Sequence, residues 1–240
     1  MEIIRLDKIE STNSYAKHSI ENFADKTVIT ARCQSAGRGR LERSWVDLGE
    51  GNLFMSIVLK PDEKFSEVYP NITQYLSVVL CKILETYNLK PQIKWPNDVL
   101  INGKKIAGIL SETVIQGGKC KGIILGIGVN LNAQSEKLAK IPDKIATALN
   151  LEIGKEVDLS QFTDKLLDEF FKNYDEFLKT GFKYIKNDYI NRNCFLNKEL
   201  KVQVFNNIES GLAKSIDDCG ALVLLKEGNT QTTLTIGDIL

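Results

Sequence analysis

The chain has 240 residues, 43% of them hydrophobic and 26% charged, with 31 basic and 31 acidic side chains and no net charge. That length accommodates one large domain with a good core plus a small appendage. The even charge balance argues against a protein built mainly to coat nucleic acid, which would be strongly basic.

Taken in order, Glu2 to Leu6 predicts a short strand. Ser11-Thr12-Asn13 then offers helix-cap chemistry ahead of Tyr15, Ala16, Ile20 and Phe23, so a helix is expected from about residue 12. Thr27 to Cys33 reads as a buried strand, and Gln34 to Glu50 as a long polar loop rich in Gly and Arg. Leu53 to Leu59 is a strand. A helix is expected from about Ser66 to Tyr87, with Leu76, Val79, Leu80, Ile83 and Leu84 facing inward. Strands follow at Gln92–Trp95, Val99–Ile101, Ile106–Ile115 and Ile123–Asn132, with Asn102-Gly103 and Gly117-Gly118 as hairpin turns. This antiparallel meander alternates poorly, which predicts a helix layer over one or both faces. One helix is expected over Leu159–Leu178 and a short one over Tyr184–Asn191. Short strands at Lys201–Phe205, Leu212–Ile216, Ala221–Leu225 and Thr232–Ile236, parted by Asn206-Asn207, Cys219-Gly220 and Gly228-Asn229, predict a small β-barrel appended to an α+β domain.

The five cysteines (Cys33, Cys81, Cys120, Cys194, Cys219) are odd in number and show no CxxC spacing. They read as reduced structural thiols rather than a disulfide framework or zinc site. No leader-like segment opens the chain, and no window reaches about 18 uncharged apolar residues. A cytoplasmic protein without a membrane partner is expected. There is no GxxxxGK[ST] phosphate loop, and Gly126-Ile127-Gly128 lacks a third glycine at dinucleotide-binding spacing. His18 is the only histidine and falls among polar residues of a predicted helix. Chemistry must then run on Lys, Arg, Asp, Asn and backbone amides, which fits electrostatic catalysis of group transfer.

Arginine is scarce, yet three of the six fall in Gly37-Arg38-Gly39-Arg40-Leu41-Glu42-Arg43-Ser44-Trp45. The guanidinium fork suits two-point contact with carboxylate or phosphate, and glycines let backbone amides approach a ligand. A flexible basic loop or an RNA-contacting Arg-Gly segment fits the composition as well. In Lys94-Trp95-Pro96-Asn97-Asp98 a lysine ends a strand and a proline forces a turn. Lys94 would aim a compact charge at an anion, and Asp98 would bind Mg²⁺ or hold Lys94. An ordinary hairpin turn with a surface ion pair is the plain alternative. Trp45 and Trp95, the only tryptophans, suit stacking on a base, or burial in the core. Ser11-Thr12-Asn13 can be a simple helix cap, and Gly126 to Asn132 a closely packed strand.

Together and in this order, STN, QSAGRGR with its tryptophan, KWPNDV, KIAGIL and GIGVNLN closely resemble the biotin–protein ligase family. The resemblance spans Ser11 to Asn132 and resumes more weakly at Ser215-Ile216-Asp217, Gly220-Ala221-Leu222 and Gly237-Asp238-Ile239. It implies a fold like the class II aminoacyl-tRNA synthetase catalytic domain over 1–194, followed by an SH3-like barrel over 195–240. It implies ATP-dependent formation of biotinyl-AMP and transfer of biotin to a lysine of a biotin carboxyl carrier protein of acetyl-CoA carboxylase or a related carboxylase. By this resemblance Ser11, Thr12, Asn13 and Gln34 bind biotin; Arg38, Gly39 and Arg40 form a loop closing over biotin and adenylate; and Lys94 contacts the biotin carboxylate and α-phosphate. Lys94 and Arg40 are then the catalytic pair. Arg38, Arg40, Arg43, Trp45, Lys94, Lys105 and Asn130 are the nucleotide contacts, with Trp45 cradling adenine and Asp98 the candidate Mg²⁺ ligand. Glu42 stands where family members often have a small residue. Members that repress transcription carry an N-terminal helix-turn-helix domain. With the first motif at Ser11, the resemblance implies a ligase without specific nucleic-acid binding, monomeric or homodimeric.

Overall fold

A computed structural model describes residues 2–40, 43–60, 68–139, 141 and 145–240, except the side chain of Tyr69. Glu42, and the start of the helix expected at Ser66, lie outside the described residues. Seven strands form one sheet: β1 (Ile3–Ile9), β2 (Thr27–Gln34), β5 (Leu53–Leu59), β6 (Pro91–Lys94), β7 (Asp98–Ile101), β8 (Lys104–Gln116) and β9 (Lys119–Val129). Their order is β1-β2-β5-β9-β8-β7-β6. Only β1 and β2 run parallel; the remaining neighbours are antiparallel. The expected meander is therefore the β6-β7-β8-β9 half of the sheet. Its Asn102-Gly103 and Gly117-Gly118 turns carry the positive φ angles that a two-residue hairpin needs.

Consecutive residues of the central strands serve opposite faces. Val28, Ile57, Leu125 and Ile127 belong to the main apolar cluster, while Ile29, Val58 and Ile124 pack with Ala16, Ile20 and Phe23 behind the sheet. Ala16 comes from α1 (Thr12–His18), Ile20 from the short 3-10 turn after it, and Phe23 is the residue that ends that turn. The main face is covered by α2 (Ile72–Glu85), α5 (Leu159–Lys172), α6 (Tyr174–Thr180) and α7 (Phe182–Asn191), while the shorter α3 (Ser135–Leu138) and α4 (Leu149–Ile153) follow β9. Helix α2 is buried nearly all round, as a helix between a sheet and other helices must be. Inside this layer the Tyr75 hydroxyl donates to the Phe170 carbonyl at 2.6 Å, and Tyr75 stacks on Phe177 with centroids 4.4 Å apart. We expect Tyr75→Phe to cost about 1–2 kcal/mol, because it strands a buried carbonyl; a urea denaturation midpoint measures it.

Several boundaries differ from expectation by a few residues, α2 among them, which begins only at Ile72 after a 3-10 turn at Tyr69–Asn71, and two differences are instructive. The helix predicted over Leu159–Leu178 breaks at Asn173, whose φ of −119° and ψ of 10° leave the helical region. The hairpin turn predicted at Asn206-Asn207 sits one residue earlier. Val204 pairs with Asn207, which puts Phe205 at φ 50° and leaves it 67% exposed.

A second, five-stranded antiparallel sheet contains β10 (Glu199–Val204), β11 (Asn207–Ile216), β12 (Leu222–Leu225), β13 (Gln231–Leu234) and β14 (Asp238–Ile239), in the order β13-β12-β11-β10-β14. A large mixed sheet with helices, then a small antiparallel one, is the α+β architecture expected. Val202, Ile216, Leu222, Leu224 and Ile239 join the same apolar cluster as the first sheet, so the two sheets share a continuous core. No described helix is long and apolar enough to cross a membrane.

Candidate functional site

The Gly- and Arg-rich stretch is more ordered than its composition predicts. Gly37-Arg38 (β3) pairs with Ser44-Trp45 (β4), and the Gly39 N–H donates to the Arg43 carbonyl at 2.7 Å. Any Cβ on Gly37 would lie 2.5 Å from the Trp45 carbonyl oxygen, so glycine is what lets these two short strands close. The hairpin leans over the open face of the main sheet, and its side chains reach three separate segments.

Arg40 donates through Nη1 to Asn97 Oδ1 at 3.1 Å and through Nη2 to the Gly237 carbonyl at 3.0 Å, and it pairs with Asp238 Oδ1 at 3.1 Å. Arg43 stands 3.3 Å from Asp238 Oδ2, and Arg38 is 3.2 Å from Glu112.

The turn between β6 and β7 supplies the second set. Lys94 and Asp98 are directly paired across the hairpin, which puts both on one face. Asp98 does not hold Lys94, however: its Oδ1 accepts from Lys105 Nζ at 2.6 Å. Among the described residues Lys94 makes no hydrogen bond or ion pair, and its half-buried amine lines the cavity. Trp95 takes the core alternative. It is 2% exposed and donates its indole N–H to the Gly220 carbonyl at 3.2 Å, facing the second sheet. Asn97 is fixed by donation to the Ile109 carbonyl, which leaves its Oδ1 for Arg40.

At the other end, Ser11 both caps α1 and lines the cavity. Gln34 Oε1 accepts from the Thr12 N–H at 2.7 Å. The Ser56 hydroxyl lies 2.6 Å from Asn13 Oδ1 and 2.8 Å from Thr12 Oγ1, and Asn13 Nδ2 donates to Glu112 at 3.0 Å. These buried polar groups form a connected network, which fixes each amide's orientation.

The floor is made of glycines on β8 and β9. A Cβ at Gly126 would come 2.8 Å from Asn13 Cγ and closer still to its Oδ1. One at Gly128 would come 2.7 Å from Trp45 Cζ2, and one at Gly108 2.9 Å from Cζ3. The missing side chains are what let the indole lie flat on the sheet. Lys105 Nζ sits 5.6 Å from that ring's centroid, while the indole N–H is buried with no hydrogen-bond partner among the described residues.

A single cavity of about 570 Å³ joins these parts. Of the sequence-predicted site residues, Ser11, Thr12, Asn13, Gln34, Arg38, Gly39, Arg40, Arg43, Trp45, Lys94, Asp98 and Lys105 all line it. Asn130 does not. It donates to the Thr147 carbonyl at 3.0 Å and lines a small recess behind Trp45 with Lys105, Ile141 and Ala146. Sequence reading missed Glu112 and Ser56, which sit in strands with no cue beyond polarity, and gave Asp238 no role. His18 is exposed and bonded to its own helix at Ser14.

No three His, Cys, Asp or Glu side chains cluster as a metal cage among the described residues. Asp98 has one oxygen engaged by Lys105 and one to spare. That fits an ion carried in on phosphates and touched by a single carboxylate, which is how Mg²⁺ is usually held. Burial pushes the Cys81 and Cys194 thiols up, as expected of structural cysteines; at Cys194 the charges of Lys198 and Lys94 oppose the shift.

The model of the biotin/lipoate A/B protein ligase family matches residues 6–130. The bifunctional ligase/repressor BirA of Bacillus subtilis is 33% identical over 224 residues, covering 92% of this chain and 69% of that protein. A biotin–[acetyl-CoA-carboxylase] ligase of Paracoccus denitrificans is 31% identical, covering 91% and 92% respectively. The biotin protein ligase of Aquifex aeolicus, solved with biotin and ATP, superposes with a TM-score of 0.84 at 28% identity, covering all of this chain and 97% of that one.

Proposed function

The chain belongs to the biotin/lipoate A/B protein ligase family, and on that footing we propose that it joins biotin to ATP as biotinyl-5′-AMP and passes the biotin to a lysine of a carboxylase carrier domain. The observation that carries this reading is the amine of Lys94, without a partner among the described residues, sharing one cavity with Arg38, Arg40 and Arg43 from a different segment.

The chemistry asks for that arrangement. The biotin carboxylate must attack the α-phosphorus of ATP; an O–P bond forms and the bond to pyrophosphate breaks. Both reactants are anions, so bringing them together in water costs electrostatic energy. Cations fixed between them offset the repulsion and stabilise the charge-rich transition state. The Ser11–Asn13 and Gln34 network supplies oriented donors and acceptors for a neutral polar ring such as the biotin ureido group. Trp45 over the glycine floor, with Lys105 beside it, offers a face for adenine. Asn130, which lines the recess behind Trp45, would meet the edge of the nucleotide. Mg²⁺ bound with ATP and touched by Asp98 would draw charge toward the pyrophosphate. The mixed anhydride is water-sensitive, and the 37–45 hairpin covers it until the carrier lysine attacks the acyl carbon and AMP leaves.

Pyrophosphate exchange into ATP, run with biotin and with lipoate, tests the reading. Biotin-dependent exchange is expected; exchange with lipoate alone would move the chain to the other branch of its family. We also expect Arg40→Gly to release biotinyl-AMP and label lysines of bystander proteins, measured by streptavidin blot of a mixed protein sample. Labelling confined to the carrier would remove the covering role from this hairpin.

A further inference from the structure

We propose that Asp238, from the second sheet, is a positioning residue that anchors the Arg40 guanidinium and thereby holds the paired strands β3 and β4 over the adenylate. The inference rests on the ligase reading above but adds a residue and a part of the fold to it.

Among the described residues, each acceptor of the Arg40 guanidinium lies outside the hairpin: Asn97 on the β6–β7 turn, and the Gly237 carbonyl and Asp238 carboxylate at the start of β14. The Asp238 side chain is 12% exposed and that of Arg40 18%, so the pair is largely out of water and poorly screened. Such an ion pair is costly to break by removing one member, because the other is left buried and uncompensated. Asp238 is itself held in place. Its backbone pairs with Gln203 on β10, and Ile239 beside it is buried in the shared core.

The arrangement leaves Arg40 available for a ligand. Guanidinium has five N–H donors. Nη1 serves Asn97 and Asp238, Nη2 serves Gly237, and the Nε–H and the second Nη2 hydrogen have no partner among the described residues. Arg40 can therefore stay anchored and still donate into the cavity that it lines. Arg43, the second guanidinium on Asp238, leaves the trio with a net positive charge beside the expected phosphate. A carboxylate in an anion-binding cavity would weaken binding if it were idle; here it is spent on orientation.

The experiment uses the full chain as Asp238→Asn, Arg40→Lys and the double variant. Two readouts are taken: hydrogen–deuterium exchange of the peptide spanning residues 37–45 without ligand, and the rate at which preformed biotinyl-AMP leaves the protein. Asp238→Asn is expected to speed both, the release rate by about tenfold, as loss of a charge-assisted bond implies. The double variant is expected to release no faster than the worse single one, because both changes break the same tie. Asp238→Glu is expected to recover part of the retention. Unchanged exchange and release in Asp238→Asn would overturn the proposal. So would effects that add in the double variant, which would mean that Asp238 acts on the second sheet and not through Arg40. If the parent chain makes no biotinyl-AMP at all, the ligase reading fails, and hydrogen exchange still decides whether Asp238 tethers the hairpin.

Discussion

Lys94→Ala is expected to lose biotinyl-AMP formation by about a thousandfold or more while keeping its fold and its melting temperature. The size follows from removing a preorganised charge aimed at developing negative charge in a confined site, where a single donor is already worth about a hundred- to a thousandfold. The intact fold follows from the side chain's isolation: it makes no hydrogen bond or ion pair among the described residues, so truncation leaves nothing unsatisfied. Single-turnover formation of labelled biotinyl-AMP, with circular dichroism on the same sample, separates the two effects. A normal burst would remove Lys94 from the chemistry. Lys94→Arg is expected to recover little, since guanidinium is larger and planar where a compact charge is called for.

The second large effect is expected from single methyl groups. Gly126→Ala should raise the KM for biotin and leave that for ATP nearly unchanged; Gly128→Ala should do the reverse. The added Cβ at 126 collides with Asn13, whose amide is already tied to Ser56 and Glu112 and has nowhere to turn. The Cβ at 128 collides with the flat face of Trp45 and must lift the indole off the sheet. Each KM should change by about tenfold or more, since a misplaced positioning group commonly costs that much. Steady-state kinetics with each substrate varied in turn is the check. Equal effects of both variants on both substrates would show that the floor is one undivided surface.

Much of this molecule could be read before its coordinates. Asn-Gly and Gly-Gly turns delimit the meander because few other dipeptides supply the required positive φ, and both turns lie where expected. The two cationic segments could be named because arginine is rare here and clusters. What escaped has physical reasons. The break at Asn173 is hidden because Phe170, Tyr174 and Phe177 keep helical spacing straight through it and are all buried. The turn at Phe205 escapes a sequence reading by one residue because asparagine, which fills the next two positions, is the usual occupant of the left-handed region that Phe205 takes here. Trp95 belongs to the core, which an aromatic next to a charged turn does not announce. The Arg40–Gly237 contact spans 197 positions, far beyond any local pattern. The nucleotide role of Asn130 rests on its motif alone: its amide donates to the Thr147 carbonyl, and it lines the recess behind Trp45 and not the main cavity.

Strand β9 puts structure and recognition on alternate residues. Ile123, Leu125, Ile127 and Val129 build the interior, while Gly126 and Gly128 shape the floor under Asn13 and Trp45. Anyone wishing to retune which vitamin or nucleotide analogue is accepted can therefore work at positions 126 and 128 of this strand and leave the aliphatic side chains between and around them in place. A one-residue insertion or deletion there is a different matter. It would turn bulky aliphatics into the chamber and glycines into the interior together, so that no point mutation elsewhere could repair either.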